Sequence, residues 1–173
     1  MIFRTNIPAP QYPFEISYDS KIMLLGSCFS DNIGSYFHRH RFQVCSNPFG
    51  VLFNPVSIDH ALRILIHPES FDKDRYFLKN KDLWVSFAHH GKFSRENFEE
   101  FERNIDEQLA YAAQFFRETD VLFITFGTAF CYKYTPRDLI VANCHKIPNY
   151  QFERLRLDVK KIVSLWNTTL QAV

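Results

Sequence analysis

Residues 22–31, Ile-Met-Leu-Leu-Gly-Ser-Cys-Phe-Ser-Asp, constrain the fold of this chain more than any other stretch. An apolar run stops at Gly26, and Ser27, Ser30, Asp31 and Asn32 follow with the polar character of a helix start. So short and apolar a run reads as a buried strand, and the glycine as a tight turn out of it. Ile33, Tyr36, Phe37 and His40 then share one face at helical spacing, which predicts a helix from about residue 30 to 41. Strand, glycine turn and helix N-terminus in succession bring the Ser27 hydroxyl and the Cys28 thiol among backbone N–H groups and the positive end of a helix dipole. Thiolate or oxyanion charge is stabilised in such a place.

The rest of the chain alternates strands with helices. A second short strand is predicted over 42–45, ending in the loop signal Ser46-Asn47-Pro48-Phe49-Gly50. Pro55 suits a helix start, and Ile58, Ala61, Leu62, Leu65 and Ile66 form a buried stripe up to Pro68. Residues 75–87 read as a β-hairpin or two short strands around Lys79-Asn80-Lys81-Asp82. A long helix over 94–117 shows Phe98, Phe101, Ile105, Leu109, Ala112 and Phe116 on one face, with Ser94 and Asn97 as an imperfect capping pair. Residues 121–126 suit a strand buried on both faces, 131–134 and 139–143 another hairpin, and 157 onward a final helix. Pro8, Pro10 and Pro13 favour an extended strap over 1–20. The alternation argues for an α/β fold with a parallel core, in one domain spanning 1–173 without internal repeat or linker.

Composition narrows the function classes. A net charge of +1 gives no electrostatic reason to expect nucleic acid or an anionic membrane as partner. No apolar run approaches the ~20 residues of a membrane span, and the N-terminus lacks a signal-peptide apolar region. Cys28, Cys45, Cys131 and Cys144 show no close pairing, in a chain too large to need disulfide staples, so reduced thiols in a cytoplasmic protein are expected. Cys131, Cys144 and His145 are metal-ligand types, but their spacing matches no common structural zinc site. No metal or other cofactor is expected.

In open α/β sheets, sites form beyond the carboxyl ends of the strands. Three segments leave predicted core strands there: Gly26-Ser27-Cys28, Asn47-Pro48-Phe49-Gly50 and Gly127-Thr128-Ala129. Together they line one expected crevice.

Gly26-Ser27-Cys28-Phe29 resembles the signature of the GSCFA family, grouped with the SGNH/GDSL hydrolases. The likeness continues through residues 47–55 (Asn-Pro-Phe-Gly-Val-Leu-Phe-Asn-Pro), Trp84 to His90, Phe126 to Ala129 and Asn143-Cys144-His145-Lys146. It implies a three-layer α/β/α sandwich with a mostly parallel central sheet, SGNH-hydrolase or flavodoxin-like. The implied chemistry is that of an esterase or acyl hydrolase on a small-molecule, carbohydrate or lipid ester. An ungapped match of residues 26–32 to Gly-Asp-Ser-Leu-Ser-Asp-Asn puts Cys28 at the nucleophile, and a one-residue shift would put Ser27 there. A thiol at a helix N-terminus gains thiolate character, a serine needs an adjacent base, and both stay open. Gly50 resembles the second block of that superfamily, where a glycine N–H helps form the oxyanion hole.

The chain departs from the superfamily pattern in two places. Gly127-Thr128-Ala129 stands where the pattern has Gly-x-Asn, leaving Thr128 or Asn143 as substitute donors. No Asp-x-x-His block follows His145, so the chain corresponds to the N-terminal part of such a protein, with the fold incomplete at its C-terminus. His90 and His145 are the candidates for a base or a site-lining role; His38 and His40 fall on the first predicted helix as surface or packing residues. Weak or absent ester hydrolysis is expected, and the alternative is a non-catalytic binding or structural domain that keeps the crevice. An apolar sheet edge would favour a homo-oligomer.

Overall fold

β1 (Lys21–Gly26) carries Ile22, Met23, Leu24 and Leu25 at 1% exposure or less, the burial of a strand covered on both faces. α1 (Cys28–Arg39) follows, starting about two residues before the predicted residue 30 because Ser27 caps it. After β2 (Gln43–Ser46), the Asn54 side chain accepts the Ser57 N–H at 2.9 Å and opens α2 (Pro55–Ile66). Pro55 sits at the first helical position, where a missing N–H costs nothing. The computed structural model describes residue 8 and residues 10–173, and 10–20 contain neither helix nor strand; the rest of the predicted strap lies outside the described residues.

α3 (Lys73–Tyr76) is a single turn leading into the antiparallel hairpin of β3 (Phe77–Asn80) and β4 (Leu83–Ser86). α4 (Phe98–Arg117) begins later than predicted. Asn97, not Ser94, caps it by accepting the Glu100 N–H at 2.8 Å, while Arg95 is drawn into a bridge with Trp84. Its stripe of Phe101, Ile105, Leu109, Ala112 and Ala113 is buried, and each large member contributes roughly 1.5–3 kcal/mol.

β5 (Val121–Thr125), β6 (Phe130–Tyr134), β7 (Leu139–Val141), β8 (Phe152–Arg156) and α5 (Val159–Leu170) complete the order. β8 was not expected from the sequence. Phe152-Glu-Arg-Leu-Arg has little strand signal of its own and is held by antiparallel pairing with β6, from Phe130 opposite Arg156 to Tyr134 opposite Phe152.

The chain is α/β. Its parallel sheet is three-stranded in the order β2-β1-β5, and the remaining strands form antiparallel sheets, β3-β4 and β7-β6-β8. The expected double burial of β5 is corrected: all five residues are half-buried, because β5 is an edge strand. Met23 and Leu25 join the core built with α2 and α4, against which Leu122 and Ile124 also pack. Phe123, between them, meets Phe37 of α1 at 6.4 Å between ring centroids. Among the described residues, no helix is long and apolar enough to cross a membrane.

Candidate functional site

The carboxyl ends of β1, β2 and β5 meet because their turns share hydrogen bonds. Gly26 has φ +136°, and a Cβ there would lie 2.1 Å from the Thr125 carbonyl oxygen, so this exit from β1 demands glycine. Its N–H donates to Asn47 Oδ1 at 2.8 Å and its carbonyl accepts the Leu52 N–H at 2.8 Å. Asn47 Nδ2 donates to Asp31 Oδ1 at 2.7 Å and to the Ser27 carbonyl at 3.4 Å. The Phe53 carbonyl accepts both the Gly127 N–H (2.8 Å) and the Thr128 N–H (3.1 Å). The three turns are therefore one hydrogen-bonded unit.

Within that unit Ser27 and Cys28 differ sharply. Ser27 is 8% exposed, its Oγ accepts the Phe29 N–H at 3.4 Å as the helix cap, and it lies 3.1 Å from Thr125 Oγ1. Its N–H donates to the Thr125 carbonyl (3.1 Å) and to Thr125 Oγ1 (3.0 Å). Ser30 Oγ sits 2.8 Å from the same hydroxyl. Cys28 is exposed at the first position of α1, and its N–H makes no hydrogen bond among the described residues. Burial pushes the thiols of Cys45 and Cys131 up to about 11 and raises that of Cys144.

The Gly50 N–H donates to the Asn47 carbonyl at 2.7 Å and closes a turn. Glycine is needed there for φ +78°, and because a Cβ would lie 2.3 Å from His90 Cβ. Thr128 Oγ1 accepts the Phe130 N–H at 3.1 Å, and Asn143 Oδ1 accepts the His145 N–H at 2.8 Å.

Of the two candidate histidines, His90 sits on the second turn. Its N–H donates to the Phe49 carbonyl at 2.8 Å, and its Nδ1 accepts the Lys92 N–H at 3.3 Å. His145 is tied elsewhere. Its Nε2 donates to the Ser86 carbonyl at 2.7 Å, its own carbonyl accepts from Asn80 Nδ2 at 2.8 Å, and burial lowers its pKa. His89 is 2% exposed, lies over Phe49 at 5.0 Å, and bonds through Nδ1 with Ser86 Oγ at 2.8 Å; burial pushes its pKa down to about 3. Among the described residues, no group of three or more His, Cys, Asp or Glu side chains could hold a metal ion.

Thr125 and Asp31 are the site residues that sequence reasoning did not single out as such. The signal for Thr125 is a lone hydroxyl at the end of the apolar run Val-Leu-Phe-Ile-Thr, just ahead of the Gly127 turn.

No curated protein and no solved structure matches the chain. The sequence does match one family model, over residues 21–173, a stretch that takes in the Gly26–Cys28 turn and every strand and helix described above. The chain belongs to the GSCFA family.

Proposed function

We propose that the turn unit is an acyl-transfer site of the SGNH-hydrolase type, set in a three-layer α/β/α arrangement, with Cys28 as the reacting group. The observation that carries this reading is the contrast at the turn. The Cys28 thiol is exposed and its N–H unspent, whereas the Ser27 hydroxyl is buried in the helix cap and beside Thr125. In the reaction Cys28 Sγ forms a bond to an ester carbonyl carbon, the bond from that carbon to the alcohol oxygen breaks, and the alcohol leaves with a proton. The acyl group then passes from the thioester to water or another hydroxyl. Charge on the carbonyl oxygen would fall near the Cys28 N–H and the N-terminus of α1. His90, lodged on the second turn, is the candidate to take the thiol proton, and would release the Lys92 N–H to do so.

The second reading, a binding domain that keeps the fold without turnover, has its own observation. The N–H groups of Gly50, Gly127 and Thr128 and the Asn47 side chain are all committed inside the protein. The two readings separate on one measurement. Under the first, p-nitrophenyl acetate leaves an acetyl group on Cys28, read by mass spectrometry, with slow subsequent turnover; iodoacetamide alkylates Cys28 faster than free cysteine at neutral pH. Cys28→Ala abolishes both. Alkylation at the rate of free cysteine with no acetyl adduct supports the binding reading instead.

A further inference from the structure

A cavity of about 300 Å³ opens beside the N-terminal half of α2, where α2, the end of α3, Phe87-Ala88 and β7 meet. It is at the small end of the range for small-molecule sites, roughly 300–1,000 Å³, and shares no lining residue with the three turns. Its polar lining is unusual for a core margin. The Tyr76 ring stacks on the His60 ring at 4.5 Å between centroids, and Tyr76 is only 9% exposed. Neither the Tyr76 hydroxyl nor either His60 ring nitrogen has a hydrogen-bond partner among the described residues. Ser57, 7% exposed, accepts from Asn54 Nδ2 at 2.9 Å but gives its own hydroxyl proton to no acceptor. Among the described residues the buried side-chain polar atom without a partner is Trp166 Nε1, so these atoms are reached by solvent and stay open to a ligand that enters the hollow.

We infer that this cavity binds a neutral, hydroxyl-bearing ring the size of a monosaccharide, held at its edge by Ser57, His60 and Tyr76. The charge balance excludes an ionic ligand. Asp59 gives one carboxylate oxygen to Thr169 Oγ1 and the other to Arg63 Nε at 3.0 Å, and Asp138 is paired with Lys133, so no carboxylate is free to receive a cation. Burial holds His60 neutral, with its pKa pushed down to about 4, so the ring offers one donor and one acceptor instead of a positive charge. A wholly apolar ligand would strand the three polar groups. A pyranose meets both demands, because its C–H face suits the wall of Val56, Phe87, Ile140 and Ala142 and its hydroxyls reach the polar edge.

The test uses the whole chain and saturation-transfer NMR with four uncharged probes, the methyl pyranosides of glucose, galactose, mannose and fucose, and with glucuronate as the charged counterpart. At least one methyl pyranoside is expected to receive saturation, and glucuronate none. Tyr76→Phe keeps the ring stack and removes the hydroxyl, and should weaken binding about three- to tenfold, the loss of one hydrogen bond. Ala142→Leu fills the hollow and should abolish binding while the chain still melts cooperatively. Silence from all four pyranosides, binding unchanged in Tyr76→Phe, or equal binding of glucuronate overturns the proposal.

Discussion

At the carboxyl ends of β1, β2 and β5, polar groups are spent on the protein itself, whereas beside α2 the Tyr76 hydroxyl and the His60 ring nitrogens have no hydrogen-bond partner among the described residues, and Ser57 Oγ is bonded only by Asn54 Nδ2. The Thr125 hydroxyl alone touches Ser27 N–H, Ser27 Oγ and Ser30 Oγ, and Asn47 braces Gly26, Ser27 and Asp31. A turn so fully bonded is rigid and leaves one thiol and one N–H for chemistry. The histidine side of the molecule is built the other way, with imidazoles kept neutral by burial and stacked on aromatic rings: His60 on Tyr76 and His89 on Phe49. The difference teaches where each region is vulnerable, the turn to loss of a bonding atom and the histidine side to protons.

The largest expected effect is therefore acid sensitivity. His60 and His89 have folded-state values of about 4 and about 3, against ~6.5 in an unfolded chain. Between those limits the unfolded chain binds more protons. The histidine contribution is then fully present above ~6.5 and is lost as pH falls toward 4, at up to ~1.4 kcal/mol per pH unit for each group. Urea midpoints measured from pH 7 down to 4.5 should fall steadily, and His60→Phe, which retains an aromatic ring against Tyr76, should flatten the slope. A midpoint indifferent to pH across that window would mean the histidines are solvated, and the contrast between the two regions would collapse.

A paired substitution sharpens the same contrast on a smaller scale. Thr125→Val preserves shape but strips the hydroxyl from Ser27 and from Ser30, which is fully buried, and should cost ~1–3 kcal/mol. Tyr76→Phe removes a hydroxyl that bonds to nothing in the described protein and should stay within ~0.5 kcal/mol of the parent. Equal losses in denaturant titrations would show that the distinction between spent and unspent polar groups has been misdrawn.

The two regions also differ in how far they could be read from sequence. The turn was legible because its chemistry is local: an apolar run, Gly26, a cap and a helix face lie within about 20 consecutive residues, and backbone geometry ties each to the next. Even there, Thr125 was missed, since only the parallel pairing of Gly26 with Thr125 carries that hydroxyl to Ser27. For Gly50 a sequence marks the glycine but not the partner of its N–H, which here is the Asn47 carbonyl. The cavity had no local signature. Asp59-His60 reads as part of a helix, and its neighbours Tyr76, Phe87 and Ile140 are brought to it by the β3–β4 hairpin and the packing of β7. β8 was lost for the same reason, its existence resting on β6 and not on its own residues.

Cys28→Ala carries the smallest expected effect on stability and is the most discriminating about the turn. The thiol is exposed, at the first position of α1, and takes part in none of the hydrogen bonds that lock the three turns. Alanine keeps the backbone N–H and suits a helix start, so the unfolding free energy should move by no more than ~0.5 kcal/mol. Ser27→Ala removes the cap and a partner of Thr125, and should cost ~1–2 kcal/mol in the same titration. This ordering follows from structural roles alone and holds whether or not the site turns over an ester. If Cys28→Ala is as destabilising as Ser27→Ala, the thiol belongs to the packing of the turn and is not held in reserve for chemistry.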